Sequence, residues 1–534
     1  MKRVLVARFF IRLDLDSKLF HTTDCPLHKD RLAFLSTSGD SHRVIIVMIT
    51  ILHKGRTLMN QLQTPLFTAL MNHHKKDPIS FHVPGHKYGE IFPEIGDDYY
   101  QSLLKLDVTE LTDLDDLHEA DSVIANAQDL TADLYDAKQS FFLVNGSTVG
   151  NLAMILATCE ENDVVLVQRN CHKSVIHGMQ LAGVKPVFLT PEYDEEVKVP
   201  GAISFNLINR AINEYPEAKA LILTNPNYYG MATDLTEIVK LAHVHAIPVL
   251  VDEAHGAHFT LGSPFPMSAL KCGADIVIHS AHKTLPAMTM GSFLHSNSEL
   301  IQTEKIQYFL QMLQSSSPSY PIMASLDLAR YYLAQLKDKG IKAIIEKLNV
   351  FKSSLNEFQQ FEVINSTSPM ITTDPLKVTL QTRCSLSGYD LQSLFENEGI
   401  FVEMADPNNV LSVLPLGETW SYQKTIEKIK QAVRNVEVKG TQCQQSVYFE
   451  KNLITPLQIS YKDVKKLESK VISFHDSVGK ISAQMITPYP PGIPVIMAGE
   501  LITKDHIDLM EHLMNTGARF HGAKMILKGK IEVF

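Results

Sequence analysis

Between about residue 125 and residue 300 the chain repeats one pattern: a short apolar run, a helix-length amphipathic stretch, then another apolar run. The runs are Ser140–Val144, Val164–Gln168, Lys185–Leu189, Ala220–Leu223, Pro248–Val251 and Ile276–His279, each rich in Val, Ile, Leu or Phe. Such an alternation predicts βαβ units around a mostly parallel sheet, whose strands are buried on both faces. Ligands on these sheets sit at the carboxyl ends of the strands. The residues just after each run are therefore the candidate site residues.

The flanking sequence organises around that centre. A short helix is expected from Gln63 to about Lys76, helical sequence near 318–350, and a smaller strand–helix–strand unit near 375–437. GTQCQQS, residues 440–446, reads as a linker, and TPYPPGIP, residues 487–494, as a Pro/Gly cluster. The expected division is an atypical extension 1–58, an N-terminal segment 59–124, a large domain 125–370, a small α+β domain 371–440 and a C-terminal domain 441–534. The extension holds an apolar run, Val44–Leu52, too short to span a bilayer and too far from the N-terminus for a signal peptide. The reading favoured over an extra strand or a disordered lead is that Met59 is the natural start.

Composition narrows the function. The 534 residues are 45 % apolar and 20 % charged, as expected of a soluble globular chain and not of a membrane-spanning one. Forty-nine basic against 59 acidic residues leave a formal charge of −10, with no general attraction to nucleic acid or anionic lipid. The cysteines Cys25, Cys159, Cys171, Cys272, Cys384 and Cys443 are widely spaced without a CxxC pair. That argues against a disulfide framework or a metal site and for a reducing cytoplasm.

Four strand-end motifs carry chemistry. In FFLVNGSTVGNLAMILA an apolar strand runs through Asn145, Gly146, Ser147 and Thr148 into a helix, a cradle for phosphate or an ordinary N-cap. In IPVLVDEAHGAH a strand delivers Asp252, then Glu253, Ala254 and His255; Asp252 can hold a proton on a heterocyclic nitrogen or cap a helix. In ADIVIHSAHKT the last strand ends in Ser280, Ala281, His282 and Lys283, a candidate carbonyl-trapping lysine against the commoner solvated one. In QRNCHKSV, His172 is placed to stack on an aromatic ring or to serve structurally. Together the four supply what pyridoxal 5′-phosphate (PLP) needs: a phosphate anchor, a ring stacker, an acid at the pyridine nitrogen and an aldehyde-trapping amine.

These motifs, with FHVPGHKYG, DVTELTDLDDLH, LTNPNYYG, LQSSSPSYPIMASLD, VEMADPNNVL and YPPGIPVIMAGE, make the chain resemble the Orn/Lys/Arg decarboxylase family of fold-type-I PLP enzymes. The likeness runs from about Thr64 to Gly522 and is nearest to the short, Gram-positive-type members. It implies an α/β large domain with smaller α+β C-terminal domains, PLP as cofactor, and CO2 release from lysine, arginine or ornithine to give a diamine or agmatine, a step of polyamine biosynthesis. It implies Lys283 as the Schiff-base lysine, Asp252 as the pyridinium partner, His172 stacked on the ring and Ala254 on the opposite face. Ser147, Thr148 and Gly146 match the phosphate cradle; Ser280, His282 and His255 match further cofactor contacts. Ser315 matches a hydroxyl reaching a neighbouring subunit's phosphate, so a homodimer with interfacial sites is expected. Glu500, His86 and Lys87 match elements near the substrate pocket.

Three features depart from the family. No room is seen for the N-terminal wing domain of longer members, which weakens any expectation of their ring assemblies. MAGE stands where a proline is expected before the glycine, and DDLHEAD replaces the usual HHP-type continuation. Both bear on specificity more than on cofactor binding. The acidic residues Asp107, Glu110, Asp113, Asp115, Asp116, Glu119 and Asp121 can attract a dibasic substrate, though local capping and a solvated surface account for most of them. Two rivals stay open: another PLP reaction, such as transamination or elimination, and a PLP-fold protein kept for binding or regulation.

Overall fold

The computed structural model describes residues 59–438, 453–488, 493–521 and 525–534. The chain divides into two units, Met1–Met59 and Asn60–Phe534, and all that follows concerns the second. The expectations for the extension 1–58, for the linker 440–446, and for residues 489–492 of the Pro/Gly cluster lie outside the described residues.

The centre is one eight-stranded sheet. Its strands include β1 (Gln139–Leu143), β2 (Val164–Gln168), β3 (Lys185–Leu189), β4 (Ala220–Thr224), β5 (Val249–Asp252), β6 (Ile276–His279) and β7 (Ser292–Ser296). The spatial order is β1–β7–β6–β5–β4–β2–β3, with an eighth, short strand beyond β3. Strands β6, β5, β4, β2 and β3 are mutually parallel. Six of these strands fall where the apolar runs predict them. The seventh, β7, carries His295 and Ser296 and follows β6 without a crossover helix of ordinary length, so the alternating pattern does not announce it. It inserts antiparallel between β1 and β6.

Alternate residues of the strands feed two separate cores. Leu166, Leu221, Val249, Val251 and Val277 point to one; Val165, Val167, Ile222, Leu250 and Ile278 point to the other. This two-sided burial is why the strands read as continuous apolar runs. Each such side chain contributes roughly 1.5–3 kcal/mol relative to exposure. The helices covering the faces show the matching 3.6-residue spacing. Helix α1 (Pro65–Lys75) precedes the sheet; α2 (Gly146–Thr158) and α3 (Lys173–Ala182) cover one face. Helices α4 (Phe205–Glu214) and α5 (Thr236–Val244) cover the other. In α4, for example, Leu207, Ile208, Ala211 and Ile212 are buried, and Ser204 caps the start by accepting from the Leu207 N–H. A single turn, α6 (Ala281–Thr284), follows β6, and the long α7 (Tyr320–Lys339) packs on the first core.

The smaller unit is an antiparallel sheet of β8 (Phe361–Ile364), β9 (Lys377–Thr382), β10 (Met404–Ala405) and β11 (Asn409–Val413), in the order β8–β9–β11–β10. The eighth strand of the large sheet is β12 (Ile454–Pro456), antiparallel to β3. Further on, β13 (Lys470–Ser473) pairs with β14 (Lys530–Val533). No described helix is long and apolar enough to cross a membrane.

Candidate active site

The loops after β1, β2, β4, β5 and β6 converge on one cleft at the carboxyl ends of the strands. Its wall includes Ser147, His172, Thr224, Asp252, Ala254 and Lys283, with Pro226, Tyr228 and His255 completing it.

One end is built from β1 and α2. Asn145 and Gly146 turn the strand into the helix, and Gly146 needs its φ of +79° there, a value only glycine adopts freely. The Gly146 N–H is already given to the Met290 carbonyl at 3.0 Å. The N–H groups that follow it in the first turn of α2 have no carbonyl partner within the helix, so the helix start presents donors and the positive end of its dipole. Ser147 lies on the cleft wall, whereas Thr148 is exposed and off it. Two buried hydroxyls, Ser280 Oγ and Thr224 Oγ1, find no hydrogen-bond partner among the described residues. His282 Nδ1 lies 3.1 Å from the Gly291 carbonyl, and burial lowers its pKa. Ser315 is exposed and sits beside Asn145, to whose Oδ1 its N–H donates at 3.3 Å.

Another part of the wall is an acid held by a polar chain. Asp252 closes β5 and is buried. Its Oδ2 accepts from Asn151 Nδ2 at 2.8 Å, and its Oδ1 from the Ala254 N–H at 3.2 Å. The same Asn151 amide donates to Ser174 Oγ at 2.9 Å, and Ser174 Oγ lies 2.7 Å from His172 Nδ1. Since the amide uses both protons as donor, the Ser174 hydroxyl proton is free to go to His172, which also accepts from the Ser174 N–H. His172 thus has Nδ1 as acceptor and Nε2 as the protonated nitrogen. Burial lowers its pKa, against the opposing pull of Asp252, so it is neutral. Cys171, next door, is inert: burial and Asp252 push its thiol up to about 12.

Lys283 lines the same cleft. Burial lowers its pKa, opposed by Asp252 and Glu403, and its Nζ lies 3.0 Å from His255 Nε2 and 5.8 Å from the Tyr228 ring centre. The other nitrogen of His255, Nδ1, lies 2.9 Å from Nζ of Lys377, which comes from β9 and is 1 % exposed. Burial holds His255 well below the usual histidine pKa, with both lysines adding to the effect.

Three residues expected near the substrate pocket are not among those lining this cleft. Glu500 forms a buried two-pronged ion pair with Arg169, Oε1 to Nη1 at 2.7 Å and Oε2 to Nη2 at 3.0 Å, and does not line the cleft. His86 faces Asp107 at 3.1 Å, and Lys87 donates to the His82 carbonyl. Of the acidic stretch, Asp115 is a knot of local bonds: it accepts from the N–H groups of Asp116, Asp121, Ser122, Ile124 and Ala125. Those donors outweigh its burial and lower its pKa. Reading the sequence did not single out Asn151, Tyr228, Thr224 or Lys377.

Comparison with known proteins agrees with this architecture. Residues 64–422 match the family model described as Orn/Lys/Arg decarboxylase, major domain, and residues 440–532 match Orn/Lys/Arg decarboxylase, C-terminal domain. A Bacillus subtilis (strain 168) protein described as uncharacterized, YaaO, is 46 % identical over 480 residues, covering 89 % of this chain and 99 % of its own length. An arginine decarboxylase of Bacillus anthracis is 34 % identical, over 87 % of this chain and 96 % of that one. Among solved structures, the constitutive lysine decarboxylase of Escherichia coli superposes with a TM-score of 0.72 at 20 % identity, covering 89 % of this chain and 82 % of that one. Fold and strand-end cleft define the class: an α/β enzyme of PLP fold type I. Within that class the chain belongs to the Orn/Lys/Arg decarboxylase family and is an amino-acid decarboxylase.

Proposed function

We propose that the chain removes the α-carboxylate of a basic amino acid as CO2, with PLP held in the cleft and arginine first among arginine, lysine and ornithine. The observation that carries this is the convergence of Asp252, Lys283 and the Ser147 helix start on one cleft from three different strands. Arginine leads because relatives at 32–35 % identity are named arginine decarboxylases, while the lysine decarboxylase relatives stand at 23–24 %.

The residues present fit the cofactor. The Ser147 end offers helix-start donors, and the orphaned Ser280 hydroxyl is a further donor for a phosphate. Asp252, fixed by Asn151, is placed to hold a proton on the pyridine nitrogen. His172, neutral with Nε2–H, offers a flat face to the ring, and Ala254 leaves room for it. Lys283, its amine made less basic by burial, is the group to hold the carbonyl carbon. PLP bound there supplies an electron sink for the pair left when the Cα–carboxylate bond breaks. A proton must then reach Cα, and Lys283 Nζ and His172 Nε2 are the groups on the wall able to deliver it.

Asp252 and Lys283 serve transamination and elimination equally well, so product identity is the discriminator. We also propose a homodimer. Its support is the segment 79–99, which exposes Phe81 at 96 % and Ile95 at 93 %, together with Ile79, Ile91 and Tyr99. The test is a CO2-release panel with arginine, lysine and ornithine, with products identified by mass spectrometry and borohydride fixation mapped by peptide. Agmatine with stoichiometric CO2 and fixation at Lys283 is the expected result. An oxo-acid without CO2, or fixation at another lysine, overturns the reading.

A further inference from the structure

Lys377, His255 and Lys283 form a row that the decarboxylation chemistry leaves unexplained. Its two contacts are 2.9 Å, Lys377 Nζ to His255 Nδ1, and 3.0 Å, His255 Nε2 to Lys283 Nζ. An ammonium has three donors and no acceptor, and a neutral imidazole has one of each. If both amines were charged, the ring N–H would point at a group unable to accept it. If the ring were charged, both amines would have to be neutral. Every satisfied arrangement of the row therefore carries at most one positive charge over three bases.

The row is built in, not incidental. Lys377 enters from the small sheet and is buried along its whole stem. The stem passes against Gly230, where a Cβ would lie 2.4 Å from Lys377 Cγ, so glycine at 230 makes the passage possible. Among the described residues no carboxylate forms an ion pair with the Lys377 amine, and burial pulls its pKa down to about 8. The surrounding charges are divided between the two ends. Asp374 and Glu403 act on Lys377; Asp252 and Glu403 act on Lys283. Asp374 is itself engaged by His258 at 3.1 Å and acts on Lys352 behind it. His172 and His282 face His255, and the Tyr228 ring packs edge-on to it at 5.3 Å.

We propose that Lys377 is a positioning residue: through the His255 ring it shares one proton with Lys283 and keeps the Lys283 amine free to attack a carbonyl. The exchange balances. A proton passes from Lys283 Nζ to His255 Nε2 while the Nδ1 proton passes to Lys377 Nζ, leaving Lys283 with a lone pair and the total charge unchanged. The proposal deepens the reading of Lys283 as the carbonyl-trapping lysine and rests on it.

The test uses the full chain freed of cofactor. Competitive acetylation with acetic anhydride, read at Lys283 by mass spectrometry over neutral to alkaline pH, gives the midpoint at which that amine becomes reactive. Capture of added PLP, followed by absorbance and fixed with borohydride, gives a second readout. In Lys377→Met, and in Lys377→Gln as a polar alternative should the first misfold, the Lys283 midpoint rises by about one pH unit and PLP capture at neutral pH slows about tenfold. In a His255→Leu background the same substitution adds little, because the connecting ring is gone. An unmoved midpoint in the Lys377 variants, or an undiminished shift in the His255→Leu background, overturns the proposal. A wild-type chain that captures no PLP at Lys283 sinks the cofactor reading instead, while the acetylation midpoints still read the lysine pair.

Discussion

Asn151 settles the state of two other side chains. By donating to both Asp252 and Ser174 it fixes the acid and, through the serine hydroxyl, the tautomer of His172. Asn151→Leu keeps the branched shape of the side chain and removes both donors. The expected cost is about 1–3 kcal/mol for leaving a buried charged acceptor short of a partner, measured by urea unfolding. Asp252, Lys283, His172, Ser147 and Ala254 were legible as candidates because each follows a strand directly, and the structure brings all five to one wall. Asn151 was legible in principle: it stands one helical turn beyond Ser147, on the same face of α2. Lys377 was not, because nothing in DPLKVTL distinguishes a lysine at the head of β9 from a solvated one; its burial is a product of tertiary packing alone.

At the level of elements, the cleft is a consequence of strand direction. Parallel strands end on the same side, so the loops after β2, β4, β5 and β6 meet without any special instruction. The turn holding Gly230, at φ +78°, has a stricter requirement. Gly230→Ala carries about 1–2 kcal/mol of backbone strain in that region. It also forces the Lys377 stem aside, so thermal unfolding and the Lys283 acetylation midpoint should both move. The strand hidden from sequence reading, β7, stays hidden because its polar His295 is satisfied inside the sheet by side chains of the two strands beside it. Ser140 Oγ lies 2.7 Å from His295 Nδ1, His295 Nε2 lies 3.1 Å from His279 Nδ1, and His279 Nε2 lies 2.8 Å from Glu253 Oε2. Glu253, though adjacent to Asp252, belongs to this buried row and not to the cleft.

For the molecule as a whole, two features set stability. Burial keeps His295 and His255 well below the ordinary histidine pKa, so the fold holds them neutral while the unfolded chain protonates them. Their contribution is complete above about pH 6.5 and is lost as pH falls, at about 1.4 kcal/mol per pH unit for each histidine. Melts at decreasing pH should show it, and His295→Gln should flatten the slope. The Arg169–Glu500 pair ties the C-terminal part to the end of β2. Glu500→Gln should cost about 3–5 kcal/mol in denaturant, and the double Met variant much less, since a lone buried charge is worse than none. The short strand β12 has a different consequence. It occupies the outer side of β3 and ends in Pro456, whose ring nitrogen has no hydrogen to offer a newcomer. A chain cut just before Ile454 would bare the β3 amides to other copies of itself, and light scattering should find such a fragment clumping where the intact polypeptide stays dispersed.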